Sequence, residues 1–252
     1  LYPYPWAGAF LSINSIPTVY KVDGICTAVF GEEARHIEEE RINKGAVLDA
    51  VSALILSERG IDVGLRTMLS LEYGAVNELL DLKSLTRVSV WKGDCRIMKA
   101  ELSKNISVLI EAVFNGEAVP LAYCYENEDG QRFLVYLFDS MAFSTNPNLL
   151  RGYLGQKILI DYIEWISKEK LPATSVKNPE LYIMTSRKES DGTLAVALFN
   201  CYPDSILEPV IKLDSEYRNI RFINCEGRLN GDTVTLLKPL GAFEMCAFEV
   251  FK

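Results

Sequence analysis

The residues from Leu181 to Phe251 leave this chain the least freedom. Short apolar runs recur there at near-regular spacing, at 181–185, 193–200, 208–213, 220–224, 233–237 and 244–251. Asp191-Gly192 and Asn230-Gly231 punctuate them. Asp-Gly and Asn-Gly supply the positive φ of tight hairpin turns, and none of these runs is long enough for an ordinary helix. Short strands at this spacing predict an antiparallel β-sandwich over residues 173–252.

Upstream the pattern differs. Apolar runs at 16–20 and 24–30 are followed by a charged, helix-prone stretch at 32–43, with Ile37 and Ile42 as its few apolar positions. Next come Gly45-Ala46-Val47-Leu48-Asp49 and a stretch at 50–59 that carries Val51, Leu54 and Ile55 at helical spacing. Asp49 is its N-cap candidate and Gly60 its C′ residue. Alternation of strand and helix predicts an α/β layer, flavodoxin-like, over residues 1–172. Further strands are expected at 88–91, 95–102, 119–125 and 132–138, with Asn127-Glu128-Asp129-Gly130 turning between the last two. A helix over about 148–168, with Leu149, Tyr153, Ile158, Tyr162 and Trp165 on its apolar face, ends before Pro172.

The 252 residues carry a formal charge of −8, and the nearest approach to a basic cluster is Arg187-Lys188. Nucleic acid and anionic membranes would repel such a chain, and no apolar run reaches the ~18 residues that a membrane span needs. Leu1-Tyr2-Pro3-Tyr4-Pro5-Trp6 reads as the cut end of a longer protein. Cysteines at 26, 95, 124, 201, 225 and 246 have neither zinc-site nor disulfide-framework spacing. They are expected to be reduced packing thiols of a cytoplasmic protein, Cys201 and Cys246 among them.

Catalytic chemistry finds little to stand on. A cysteine nucleophile needs a histidine, and His36 lies in a charged stretch while Cys26 heads into an apolar run. No metal-ligand spacing and no phosphate-binding glycine motif occurs, so no cofactor is expected. Asp49, Glu126 and Asp139 are the carboxylates at apparent strand ends, each with a simpler role as cap or turn residue. No catalytic residue is assigned. Tyr2, Tyr4 and Trp6 form an aromatic cluster suited to a carbohydrate or to an interface, while Trp91 and Trp165 are isolated.

Val29-Phe30-Gly31, Lys44-Gly45-Ala46-Val47-Leu48-Asp49-Ala50, Ala53-Leu54 and Glu58-Arg59-Gly60 together form a familiar series. It resembles the glutamine-amidotransferase-like domain that follows the catalytic barrel in some glycoside hydrolases, including β-galactosidases of family 42. The later order is similar too: Glu126-Asn127, Gly130-Gln131-Arg132, a helix near Tyr153 to Trp165, and a terminal β domain containing Asn200. The resemblance implies a degenerate amidotransferase-like domain without its triad, serving assembly. It implies that the acid and nucleophile glutamates lie on an upstream catalytic domain. A homo-oligomer is expected, and a carbohydrate-binding module or a carboxylate enzyme are the competing readings.

Overall fold

A computed structural model describes residues 26–81, 86–88, 94–138, 153–176, 178 and 181–252. These divide into two units, one holding 26–138 and 161–168 and the other 153–160 and 169–252.

In the first unit the parallel pairs are β1 (Cys26–Val29) with β2 (Gly45–Leu48), and β2 with β8 (Arg132–Tyr136). All four residues of β2 are buried. A strand covered on both faces reads as an unbroken apolar run, which is what Gly45 to Leu48 supplies. Gly45 has φ +125°, and a Cβ there would lie 1.7 Å from the Arg132 carbonyl oxygen, so glycine alone fits against β8. Helix α1 (Ala50–Glu58) follows. Gly60 N–H donates to Ser57 O at 3.0 Å and Ile61 N–H to Leu56 O at 3.0 Å, the Schellman end expected of a C′ glycine.

Beyond Gly64 this unit continues in antiparallel strands. These are β3 (Leu65–Asp81), β4 (Thr86–Val88), β5 (Asp94–Leu102), β6 (Ser107–Phe114) and β7 (Glu117–Glu126). The sheet order is β1-β2-β8-β7-β6-β3-β4, with β5 paired to β3. Its core joins Leu48, Ala53, Leu56, Tyr123, Phe133 and Val135.

This overturns the α/β flavodoxin-like expectation for residues 1–172, and the amidotransferase-like domain falls with it. The described residues hold two α-helices, and the strands after α1 pair antiparallel apart from β8 with β2. Two causes are visible. Residues 32–43 form short 3-10 turns, Gly31–Arg35 and Glu39–Ile42, because Ile37 and Ile42 alone give a helix no apolar stripe to bury. The 17 residues of β3 mix leucine and glutamate with no strand alternation, and long-range pairing decides their state.

The second unit is the β-sandwich expected from the turn spacing. One sheet has the order β10-β11-β16-β13: β10 (Leu181–Arg187), β11 (Leu194–Asn200), β16 (Met245–Phe251) and β13 (Asn219–Ile223). The other is β14-β15-β12-β9: β14 (Gly227–Asn230), β15 (Thr233–Leu236), β12 (Val210–Leu213) and β9 (Ala173–Ser175). Strict alternation along β11 sends Leu194, Val196 and Leu198 into one core with Ile183, Ile211, Val234 and Phe248. Helix α2 (Tyr153–Ser167) lies within the helix predicted before Pro172.

Candidate functional site

In sheets with parallel strands, ligands bind beyond the strands' carboxyl ends. Here the ends of β1, β2 and β8 converge on Asp49, which is wholly buried. Its Oδ1 accepts from Gly31 N–H at 2.9 Å, just past β1, and from Ser52 N–H at 2.8 Å, in the first turn of α1. Ser52 Oγ returns the contact, accepting from Asp49 N–H at 3.0 Å, so cap and N3 residue are locked reciprocally. Ala50 N–H donates to Phe138 O at 3.1 Å, past the end of β8. The carboxyl ends of these strands are thus stitched together by the chain's own groups. Asp49 is the N-cap that the sequence predicts, and the two amides it holds are backbone groups.

Among the described residues, Glu126 and His36 do not assemble around it. Glu126 is exposed at the end of β7 and pairs with Arg132 Nε at 2.9 Å. His36 is exposed beside the first 3-10 turn. Asp139, Trp91, the Cys26 side chain and the Tyr2, Tyr4, Trp6 cluster lie outside the described residues. Among the described residues no group of His, Cys, Asp and Glu could hold a metal ion. Trp165 is a packing residue: the Arg132 guanidinium lies 5.0 Å above its ring and donates to its carbonyl at 2.8 Å.

Sequence reasoning missed a polar hub behind α1. Tyr125 OH donates to Asp62 Oδ2 at 2.7 Å, Gly64 N–H to Asp62 Oδ1 at 3.0 Å, and Asn127 Nδ2 to Asp62 O at 3.2 Å. Tyr123 OH donates to Val63 O at 3.0 Å. Gln131 links Asn127 to the Ile42 carbonyl. Burial first, then the Asp62 carboxylate, pushes the Tyr125 phenol above its ordinary range; burial does the same to Tyr123. Raised phenols that donate to fixed acceptors hold a loop; neither is poised to act as a base. The signal for this hub was the alternation of Tyr123, Tyr125 and Asn127 on one face of β7 and the loop that follows it.

No protein-family model matches the chain, and no curated protein matches it in sequence. Solved structures share its fold. Alpha-L-fucosidase isoenzyme 2 from Paenibacillus thiaminolyticus matches over 98% of this chain and 44% of its own, at TM-score 0.61 and 12% identity. Beta-galactosidase from Bacillus circulans sp. alkalophilus matches over 96% of this chain and 36% of its own, at TM-score 0.51 and 12% identity. The chain therefore spans less than half the length of either protein. At such identity the likeness is one of fold.

One correction concerns a single residue. Cys201, expected among the packing thiols, is exposed, because it follows the last residue of β11 and begins a loop. Cys246 is buried as expected, and burial, together with neighbouring Cys225 and Glu244, pushes its thiol up to about 12.

Proposed function

We propose that this chain is a non-catalytic scaffold region, acting in the cytoplasm, of a larger glycoside hydrolase-like polypeptide. The observation that carries the reading is the fold likeness, which takes in nearly all of this chain and less than half of each glycosidase. A region that accompanies other parts of such enzymes needs no active site of its own. The buried Asp49 agrees with that, since it accepts from the Gly31 and Ser52 amides as a structural cap does.

Two measurements test the proposal. The purified chain, incubated with nitrophenyl α-L-fucoside and β-D-galactoside, is expected to release no nitrophenol; turnover lost on replacing one acidic residue would overturn the non-catalytic reading. An antibody raised against the chain, used on extracts of the source cells, is expected to detect a band well above 28.3 kDa. A band at the mass of this chain alone would refute its place in a larger polypeptide.

A further inference from the structure

The outer face of the β10-β11-β16-β13 sheet breaks the usual rule for a sandwich, in which the face away from the core is polar. Register places Tyr182, Phe199 and Met245 side by side on one rung, and Met184, Ala197, Ala247 and Ile223 on the next. All lie opposite the core residues Ile183, Leu198, Cys246 and Phe248. The third rung, Ser186, Ala195, Glu249 and Arg221, turns polar, with Arg221 and Glu249 ion-paired.

Met184, Met245 and Ile223 are 51%, 50% and 45% exposed. At roughly 200 Å² for a large side chain, these three alone leave about 290 Å² of apolar surface in water. The half-buried Tyr182, Phe199, Ala197 and Ala247 add to it, which brings the patch into the range of about 300–600 Å² that often marks a functional surface.

We propose that this face is the contact surface between two copies of the chain, a proposal that rests on the scaffold reading. Symmetry selects the arrangement. A two-fold axis along the strands, between β11 and β16, sets Ala197 against Ala247 and Ala247 against Ala197. It sets Met184 against Ile223 and Phe199 against Met245, a sulfur–aromatic contact. On the polar rung it brings Arg221 over Ser186 and Glu249 over Ala195, so no like charges meet. A two-fold axis across the strands through the alanine rung would instead bury Glu249 against Met245. Small alanines at the centre let the two sheets approach closely, with Met184 and Ile223 closing the sides. Two such apolar centres bury about 600 Å², roughly half of the ~1,200 Å² at the lower end of stable interfaces, and the polar rung and strand ends supply the rim. A sugar fits less well, because the Tyr182 and Phe199 rings are inclined at 53° and offer no common plane.

Sedimentation equilibrium of the 252-residue chain tests this. The parent is expected at twice 28.3 kDa. Ala197→Glu should weaken association at least ~100-fold by burying unpaired charge at the centre of the contact. Ala197→Lys combined with Ala247→Glu should restore it, because opposite charges then meet across the axis. Met184→Lys, on an edge strand and half-exposed, is expected to dissociate the dimer while leaving the melting temperature within a few degrees of the parent. A parent that sediments as one chain at its highest soluble concentration overturns the proposal. So does a dimer that survives both Ala197→Glu and Met184→Lys, or a monomer that binds oligosaccharide through Tyr182 and Phe199. Glycosidase turnover by the chain would sink the scaffold reading and leave the dimer mass as it was.

Discussion

Replacing Asp49 separates a structural carboxylate from a chemical one. Asp49→Ala removes an acceptor from Gly31 N–H and from Ser52 N–H, both in buried surroundings. Loss of an N-cap costs about 1 kcal/mol. A second buried N–H left without a partner costs about 1–3 kcal/mol more, so the variant should lose roughly 2–4 kcal/mol. Asp49→Asn keeps an oxygen in place of Oδ1, and asparagine caps helices about as well as aspartate, so it should lose about 1 kcal/mol or less. Urea titration followed by circular dichroism reads the difference, with the Ala midpoint expected about 1–2 M below that of Asn for a typical slope. Amide exchange at Gly31 and Ser52 should accelerate in the Ala variant and stay slow in the Asn variant. An Ala variant as stable as the parent would refute the stitching argument. An Asn variant as damaged as Ala would mean that the negative charge, and not the acceptor geometry, is what the site requires.

Asn200→Asp should be among the most damaging substitutions in the second unit. Nδ2 donates to the carbonyls of Asp204, Gly241 and Leu240 at 2.7, 2.9 and 3.2 Å, and a carboxylate there would face three acceptors; a fall in melting temperature of ten degrees or more is expected, and a change under about two degrees would contradict it. Cys246→Ser should cost about 1–3 kcal/mol through a buried hydroxyl, while Cys201→Ser should change stability by less than about 0.5 kcal/mol, as urea midpoints would reveal. Alkylation at neutral pH should label Cys201 and spare Cys246 until the chain unfolds, since the buried thiol keeps its proton. The same shift fixes a pH dependence. The folded chain holds the Cys246 proton up to about 12 against an ordinary 9.0, so the unfolded chain releases it first. Stability from this group is full below pH 9 and is lost as pH rises toward 12, and the raised Tyr123 and Tyr136 phenols act in the same direction. A melting temperature that holds steady across that range, or a Cys246→Ser variant as alkali-sensitive as the parent, would contradict the assignment to the thiol.

What could be read from residues alone depended on how local the deciding interaction was. The Asp49 cap, the Gly60 helix end and the Asp191-Gly192 and Asn230-Gly231 hairpins are set within a few residues, and each appears where the sequence placed it. The sandwich followed because strict alternation and turn chemistry agree over residues 181–251. β9 and β14 were missed: the first has three residues, and the second carries a single large apolar side chain, Leu229. The α/β layer failed for the opposite reason. The parallel pairing of β1, β2 and β8 and one capped helix are genuine, but the strand–helix alternation stops at α1, and partners of β3 lie tens of residues away on β5 and β6. No local signal at Leu65 to Asp81 reports that pairing. The Asp62 hub was hidden likewise, since Tyr125 and Asp62 are 63 residues apart in sequence.

Asp49 and Asn200 solve the same problem at the ends of two different sheets. Each is a short polar side chain, 0% and 1% exposed, placed where strands finish and loops begin. Loop backbone in such places would otherwise bury N–H and C=O groups without partners, at a cost that few hydrophobic contacts offset. Asp49 supplies an acceptor to two amides; Asn200 supplies donors to three carbonyls and an acceptor to Tyr202 N–H at 3.1 Å. The choice of residue follows the sign of what must be satisfied, acid for donors and amide for acceptors. A catalytic carboxylate must instead exchange its proton or lone pair with a substrate, which demands an approach from solvent and neighbours that tune its charge. Asp49 is wholly buried, and the Gly31 and Ser52 amides that it holds are backbone groups. At both strand ends the buried polar side chain fastens loop backbone, and that role alone accounts for its burial.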